Sequence, residues 1–352
     1  MDKTLSYTIS FVIRKSILVM SAPLLIFVNP NSGGGLAPLF VEQAQRRENV
    51  HFVRLPDDAA VFAETFCDLL RNPDLRIVAA GGDGTVNWTI SLLSQVFPHD
   101  FSGRKPPLAV CPFGTGNDLS RALGWGGGMT EYDIQNTHEF LQRVAEVEAY
   151  QDVDIWDVEV CRTDVNEKHS SQMINYFSIG VDAAMANDFE WCRKNCSCLF
   201  CCQCISKALY LPVGTWNFFG NTTLDEYLTA ELEDSSQEGA VLIRNLPVEP
   251  YDRTFVVQAI PSIYGGRDLW QVDIPRSMND KKLEITLQGG SFLLGLTHIG
   301  IYVGRPIGQA TRIRAFTSQP CYYQIDGEGR VANGPTSFTI NRVGSYPLLF
   351  SQ

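Results

Sequence analysis

Apolar and polar positions follow two styles along the chain. From Pro23 to about Gly128, short apolar runs alternate with segments of helical period. Leu24–Val28, Val50–Leu55, Leu75–Ala80 and Leu108–Cys111 predict strands, while Leu36–Asn49, Ala59–Arg71 and Asn87–Val96 predict helices. Alternation of this kind implies a largely parallel sheet covered on both faces, with ligands beyond the carboxyl ends of its strands. From about Gln151 a period of two takes over, in Val153–Val160, Gln172–Ile179, Thr254–Ile260, Lys282–Leu287, Gly300–Val303, Thr311–Phe316, Tyr322–Ile325 and Ser337–Arg342. That pattern predicts an antiparallel sandwich or barrel, with one helical interruption between Ala183 and Phe219. Glu231–Gly239 is polar and predicts a solvated turn. The boundary between the two styles falls within Met129–Gln151, which divides the chain into an extension of uncertain order at 1–20, an α/β domain at 21–145 and a β-rich domain at 146–345. The last strands are candidates to return to the first domain and complete a cleft.

Composition narrows the class. The 352 residues are 45% hydrophobic and 19% charged, which is ordinary for a folded globular chain and excludes disorder. The net charge of −11 argues against nucleic acid as a partner, because phosphate backbones are bound by clustered Lys and Arg. Six of the ten cysteines lie between Cys192 and Cys204 and the rest are scattered, which is not a secreted disulfide framework and points to a reducing, cytoplasmic setting. The longest apolar run, Ser16–Val28, contains Pro23 and is shorter than the ~20 residues of a membrane span. Asp2 and Arg14-Lys15 make the first residues a poor signal peptide.

Three turns follow predicted strands of the first domain: Asn29-Pro30-Asn31-Ser32-Gly33-Gly34-Gly35, Gly81-Gly82-Asp83-Gly84-Thr85, and Pro112-Phe113-Gly114-Thr115-Gly116-Asn117-Asp118. Glycines permit close backbone approach, and a helix N-terminus offers free N–H donors. Three such turns at one end of a sheet form an anion cradle. None is a P-loop or a full dinucleotide fingerprint, so a di- or triphosphate held without a P-loop lysine is the expectation. Asp83, placed among these glycines, would repel phosphates unless a divalent cation or a proton-donating substrate stands between them; the alternative is a turn-capping carboxylate. Asn117 and Asp118 are candidates to cap the following helix.

With the second half, these turns resemble the diacylglycerol kinase family of eukaryotic type. The resemblance rests on FVNPNSGGG at Phe27–Gly35, GGDGTVNW at Gly81–Trp88, PFGTGNDLSRALGWGGG at Pro112–Gly128, NYFSIGVDAA at Asn175–Ala184, IPSIYGGRDLW at Ile260–Trp270, IYVG at Ile301–Gly304 and IDGE at Ile325–Glu328. It runs from about Pro23 to Asn341. It implies a two-lobed lipid kinase: a catalytic and an accessory domain, with ATP and Mg²⁺ in the cleft and the γ-phosphate passing to the hydroxyl of diacylglycerol at a membrane surface. Asn29, Ser32, Gly33, Gly34, Gly81, Gly82, Asp83, Gly84, Thr85, Gly114 and Thr115 are the implied nucleotide-binding residues. Asp326 of IDGE is the implied base for the lipid hydroxyl, with Glu328 either orienting it or merely exposed. Asp326-Gly327 is also a strong hairpin signal. Asp83 is the second candidate catalytic acid and a candidate to face Mg²⁺, which of Asp83 and Asp326 is the base and which faces the metal being left open, and Asp280 is a candidate for a structural Mg²⁺ site. Closure of the cleft would bring Asp83 and Asp326 together. A sphingoid base or ceramide is the alternative acceptor, and a catalytically inert membrane scaffold is an alternative of another class.

One departure concerns the residue after IDGE, where the family commonly has proline and this chain has Gly329. The zinc modules that many eukaryotic relatives carry do not occur in these residues. The Cys192–Cys204 cluster admits three readings: a zinc site, S-acylation beside a membrane, or reduced surface cysteines. Trp191, Leu199, Phe200, Trp216, Phe218 and Phe219 are candidates for a membrane face or for core.

Overall fold

A computed structural model describes residues 22–195, 223–234, 241–244 and 246–351. In the first half, strands β1 (Leu24–Val28), β2 (Val50–Arg54), β3 (Arg76–Gly81) and β4 (Leu108–Pro112) pair in parallel in the order β2-β1-β3-β4. Every residue of β1 and β4 is buried, as expected where helices cover both faces. Helices α1 (Leu36–Ala44), α2 (Phe62–Thr65), α3 (Cys67–Leu70), α4 (Asp83–Val96), α5 (Asp118–Ala122), α6 (Glu131–Gln135) and α7 (Thr137–Glu146) connect and flank these strands. The helix expected over Ala59–Arg71 is two short segments, α2 and α3, because Phe66 between them leaves the helical region at φ −110° and ψ 22°.

The second half is antiparallel, and it is not a sheet apart. Strand β5 (Tyr150–Arg162) pairs with β6 (Glu167–Met173) on one side and with the long β16 (Thr336–Leu349) on the other. β16 in turn meets β4 at Leu348 and Leu108, so one ten-stranded sheet runs through both halves. Strands β8 (Leu228–Asp234), β9 (Val241–Arg244) and β13 (Arg312–Thr317) complete it. A six-stranded sheet packs on its antiparallel part, in the order β12-β11-β10-β7-β14-β15: β7 is Tyr176–Gly180, β10 Thr254–Gln258, β11 Leu283–Gln288, β12 Arg305–Ala310, β14 Cys321–Ile325 and β15 Glu328–Ala332. Phe338 of the first sheet meets Phe177 and Tyr323 of the second at ring-centroid distances of 5.4 and 5.1 Å, and this is the sandwich core.

Three expectations are corrected. Glu231–Asp234 is strand, not turn: Leu228, Ala230 and Leu232 alternate into the core with Glu231 and Glu233 between them. Residues 235–239 of that stretch lie outside the described residues. Gly300–Val303 is a loop, because the apolar segment before it forms helix α9 (Ser291–His298). Gln172–Ile179 is two strands, interrupted at Ile174-Asn175 for a reason that belongs to the site. The expected helical interruption begins with helix α8 (Val181–Asn195). Most of the Cys192–Cys204 cluster, and Leu199, Phe200, Trp216, Phe218 and Phe219, lie outside the described residues.

Candidate active site

β1, β3 and β4 are neighbours and end level, with Val28 opposite Ala80 and Gly81 opposite Pro112. The three glycine turns therefore leave the sheet side by side. In the first, Asn29 Oδ1 accepts the Asn31 N–H (3.0 Å), and Ser32–Gly35 form a short turn. Gly33 has φ 72°, and a Cβ there would stand 2.9 Å from the ring of Phe113 in the third turn. The second and third turns touch through bare backbone: a Cβ on Gly114 would come within 2.6 Å of Gly82 Cα. Only glycine permits that approach. Thr115 is half-buried beside it. Asn117 does not cap its helix. It lies in the left-handed region (φ 52°), and its amide clamps the loop by accepting from Gly114 N–H and donating to the carbonyls of Gly114 and Gly127.

Helix α4 opens at Asp83, four residues earlier than its apolar period predicts, so Asp83 stands at the helix N-terminus after Gly82. Its carboxylate does not cap its own turn. It accepts the N–H groups of Asp118 and Leu119 (3.3 Å each), and Asn175 of the second half donates to it as well. Burial nonetheless raises its pKa above the usual carboxylate range. Asp118, which the sequence reading leaves to capping, is a buried member of the site. It accepts the N–H groups of Gly265 (2.7 Å) and Gly266 (3.0 Å) from across the cleft. Burial and the nearby Asp83 charge push it up to about 7. Both carboxylates face one spot: a Cβ on Gly116 would meet Asp118 Oδ2 at 3.4 Å and Asp83 Oδ2 at 3.5 Å.

Asp326 and Gly327 form the two-residue turn between β14 and β15, with φ 51° and 86°. The hairpin reading and the chemical reading thus describe one residue. The interruption between β6 and β7 exists to receive it. Asp326 Oδ1 accepts the N–H groups of Asn175 (2.8 Å) and Tyr176 (3.1 Å), and Oδ2 accepts that of Ile174 (3.0 Å). Asn87, one turn along α4 from Asp83, donates its amide to Oδ2 at 2.7 Å and also to Gln172 O, while Gln172 donates back to Asn87 Oδ1. Burial pushes Asp326 up to about 7 against these hydrogen bonds, and the charge on Asp83 adds to the rise. Asn87 and Asn175 therefore already tie the two acids together across the halves, without further closure.

Glu328 turns toward the second loop. Its Oε1 would lie 3.0 Å from a Cβ on Gly84, and its other oxygen meets Arg330 (3.4 Å). Gly329 has its own cause: a Cβ there would come within 2.2 Å of Asn187 N, so its absence lets the backbone of α8 lie against β15. Asp280 is not brought to this group. Its oxygens accept the N–H groups of Ser277 and Lys282 in its own turn, and its acidic neighbour is Asp154, which is engaged by Arg342 (2.6 Å). Among the described residues no three acidic, His or Cys side chains are grouped to hold a metal by themselves. The residues that sequence reasoning missed are Asn87, Asp118, Gln172 and Asn175. The one signal for them was the spacing of Asn87 four residues after Asp83, which puts both on one helix face.

A parallel sheet with three glycine turns, facing acids carried by a sandwich half, is the two-lobed architecture of lipid kinases. Residues 23–149 match the diacylglycerol kinase catalytic domain and residues 172–329 the diacylglycerol kinase accessory domain. The chain belongs to the diacylglycerol kinase family. It is similar to diacylglycerol kinase 2 of Arabidopsis thaliana (31% identity over 329 residues, 87% of this chain and 43% of that protein). It is also similar to diacylglycerol kinase theta of Mus musculus (29% identity, 87% of this chain and 33% of that protein). The chain thus spans less than half the length of these curated relatives. A crystal structure of a diacylglycerol kinase from Bacillus anthracis shares the fold, with a TM-score of 0.53 at 17% identity over 95% of this chain and 98% of that one.

Proposed function

We propose that the chain transfers the γ-phosphoryl group of ATP to the free hydroxyl of a diacylglycerol, giving phosphatidate, while associated peripherally with a membrane surface. The observation that carries this reading is the Asp326 carboxylate, held in the cleft by three main-chain N–H groups and Asn87, beside Asp83 and the glycine turns. In the transfer the bond from the γ-phosphorus to the bridging oxygen breaks and ADP leaves. A bond forms from the lipid oxygen to phosphorus, and the hydroxyl proton passes to Asp326. A carboxylate poised near neutral pH suits that task. Phosphoryl transfer has a loose transition state, so most of the catalysis is positioning and charge neutralisation.

Asp83 and Asp118 are a fitting pair for a divalent cation. Two carboxylates facing one spot, Asp118 buried and Asp83 half-buried, both with raised pKa, match the one or two carboxylates that Mg²⁺ takes alongside phosphate oxygens. Bound there, Mg²⁺ would supply neutralisation of phosphate charge. The bare backbone at Gly33, Gly82 and Gly114 lets the three turns pack against one another at the cleft, and Asn117 fixes the shape of the third turn. No helix among the described residues is long and apolar enough to cross a membrane.

The test is a phosphorylation assay with ATP and Mg²⁺ on mixed micelles that contain diacylglycerol, sphingosine or ceramide. Phosphatidate as the main product is expected. No lipid product, or preferential phosphorylation of the sphingoid base, contradicts the proposal.

A further inference from the structure

The segment Gly289–Gly304 (GGSFLLGLTHIGIYVG) contains no Asp, Glu, Lys or Arg over sixteen residues, although the chain is 19% charged. It forms helix α9 and the loop after it. The helix is apolar on both sides. Leu294 and Thr297 are buried, whereas Phe292 is 63% exposed, and beyond the helix Ile299 and Ile301 are 55% and 71% exposed. With Phe292 outward and no charged residue, the helix lacks the charged face that a surface helix ordinarily turns to water. The loop is also ordered rather than loose: Gly300, in the left-handed region at φ 79°, donates its N–H to Thr297 O, and Ile301 donates to Leu296 O (2.9 Å). The fold thus holds three large apolar side chains outward on a fixed knob.

Two features say what covers it. Cations stand at its base. Arg267 donates to His298 O (2.7 Å), its guanidinium would lie 3.0 Å from a Cβ on Gly300, and the Arg253 side chain adjoins Gly290. In a chain of net charge −11, apolar tips above arginines suit a surface with an apolar interior and anionic headgroups. The knob is also continuous with the acceptor side of the cleft. On its inner side, Leu294 and His298 line a small cavity together with Asp182, Tyr264, Tyr176 and Gln324. Gln324 Oε1 accepts the Gly327 N–H, and Tyr176 O accepts the Asp326 N–H, so that cavity abuts the turn carrying Asp326.

We infer that helix α9 and the loop to Gly304 form the bilayer-docking element of this chain, with Phe292, Ile299 and Ile301 inserted among lipids and Arg253 and Arg267 at the headgroups. The partner is a lipid surface. The inference rests on the proposed lipid-kinase reading and adds where the acceptor would enter.

The experiment is co-sedimentation of the chain with phosphatidylcholine–phosphatidylserine vesicles, comparing wild type with the double variant Phe292→Asp, Ile301→Asp. Both positions are exposed, and circular dichroism checks the fold. Vesicle binding is expected to fall roughly ten-fold or more. KM for long-chain diacylglycerol in vesicles should rise, with kcat on a water-dispersed short-chain diacylglycerol unchanged. Equal vesicle binding by the two proteins, or none by wild type, overturns the inference. So does a wild-type dimer in light scattering that the substitutions dissolve, since the knob would then be a contact between copies. Knob-dependent vesicle binding without phosphorylation of any diacylglycerol would sustain the docking element and defeat the proposed activity instead.

Discussion

In the α/β half, the cleft is shaped by main chain, with the turns packed together through bare backbone at Gly33 and Gly114, and two carboxylates, Asp83 and Asp118, stand beside it. In the sandwich half, the group that faces it is a carboxylate, Asp326, held by an interruption between two strands and by an amide that belongs to the other half. The first arrangement is built at the ends of neighbouring strands, where each turn is opened by its own glycines and packs on the turn beside it. The second exists only after the chain has folded, since Asn87 and Asp326 are separated by 239 positions. Backbone suits an anion that must be bound in any state, whereas a side chain near pH 7 suits a proton that must move. A phosphoryl-transfer site needs both, and under the proposed function each half would supply one.

Substitutions on the two sides should therefore differ in kind. The largest effect is expected from Asp83→Ala, which removes the carboxylate that reaches from α4 to the third turn. Phosphatidate formation should fall at least about 10²–10³-fold, with the far-ultraviolet circular dichroism spectrum unchanged. Near-normal turnover would break the account of the glycine side.

Asn87→Ala tests the link between the halves. It strips a charge-assisted hydrogen bond from Asp326, so the charged form is disfavoured and the pKa moves above about 7. The acid limb of the rate profile should move to higher pH, and the rate at neutral pH should fall roughly ten-fold. An unmoved profile would show that Asn87 holds structure alone.

Gly329→Ala puts a methyl group into the backbone of α8 at Asn187. A loss of about 1–3 kcal/mol in denaturant unfolding is expected. Gly265→Ala, where nothing stands within 4 Å but φ is 78°, should cost only about 1–2 kcal/mol, from the left-handed backbone.

The last prediction concerns pH and stability. Asp326 and Glu284 are pushed up to about 7 and Asp182 to about 6, chiefly by burial. A raised carboxylate pKa means that the native state holds more protons than the unfolded chain between roughly pH 4 and 7. Its stabilising contribution is complete below the unfolded pKa and is lost as pH rises through the folded value. The melting temperature should therefore fall from pH 5 to pH 8, and a rise over that window would contradict the burial of these acids.

The same division decides what the sequence could disclose. The strands of the parallel sheet and all three turns are legible, because apolar runs and glycines act on their own neighbourhood. Asp326 is legible as a hairpin turn for the same reason. Asp118 is not, because its partners are the N–H groups of Gly265 and Gly266, 147 and 148 positions away. The interruption at Ile174-Asn175 is hidden in a continuous period of two, since it is imposed by the acid it receives. Gly329 departs from the family's proline for a packing reason, the closeness of α8, that no local pattern carries. Helix α9 is masked by its own apolar character, which carries no period to read.

The most direct measurement compares wild type and Asp326→Asn for transfer of the γ-phosphoryl group from ATP to diacylglycerol, with nucleotide binding measured in parallel. The account predicts about 10²–10⁴-fold slower phosphatidate formation in the variant, with ATP affinity preserved because the glycine turns are untouched. Turnover close to wild type would contradict it, since Glu328, the other acid of the IDGE motif, turns toward Gly84 and does not share the hydrogen bonds that hold Asp326.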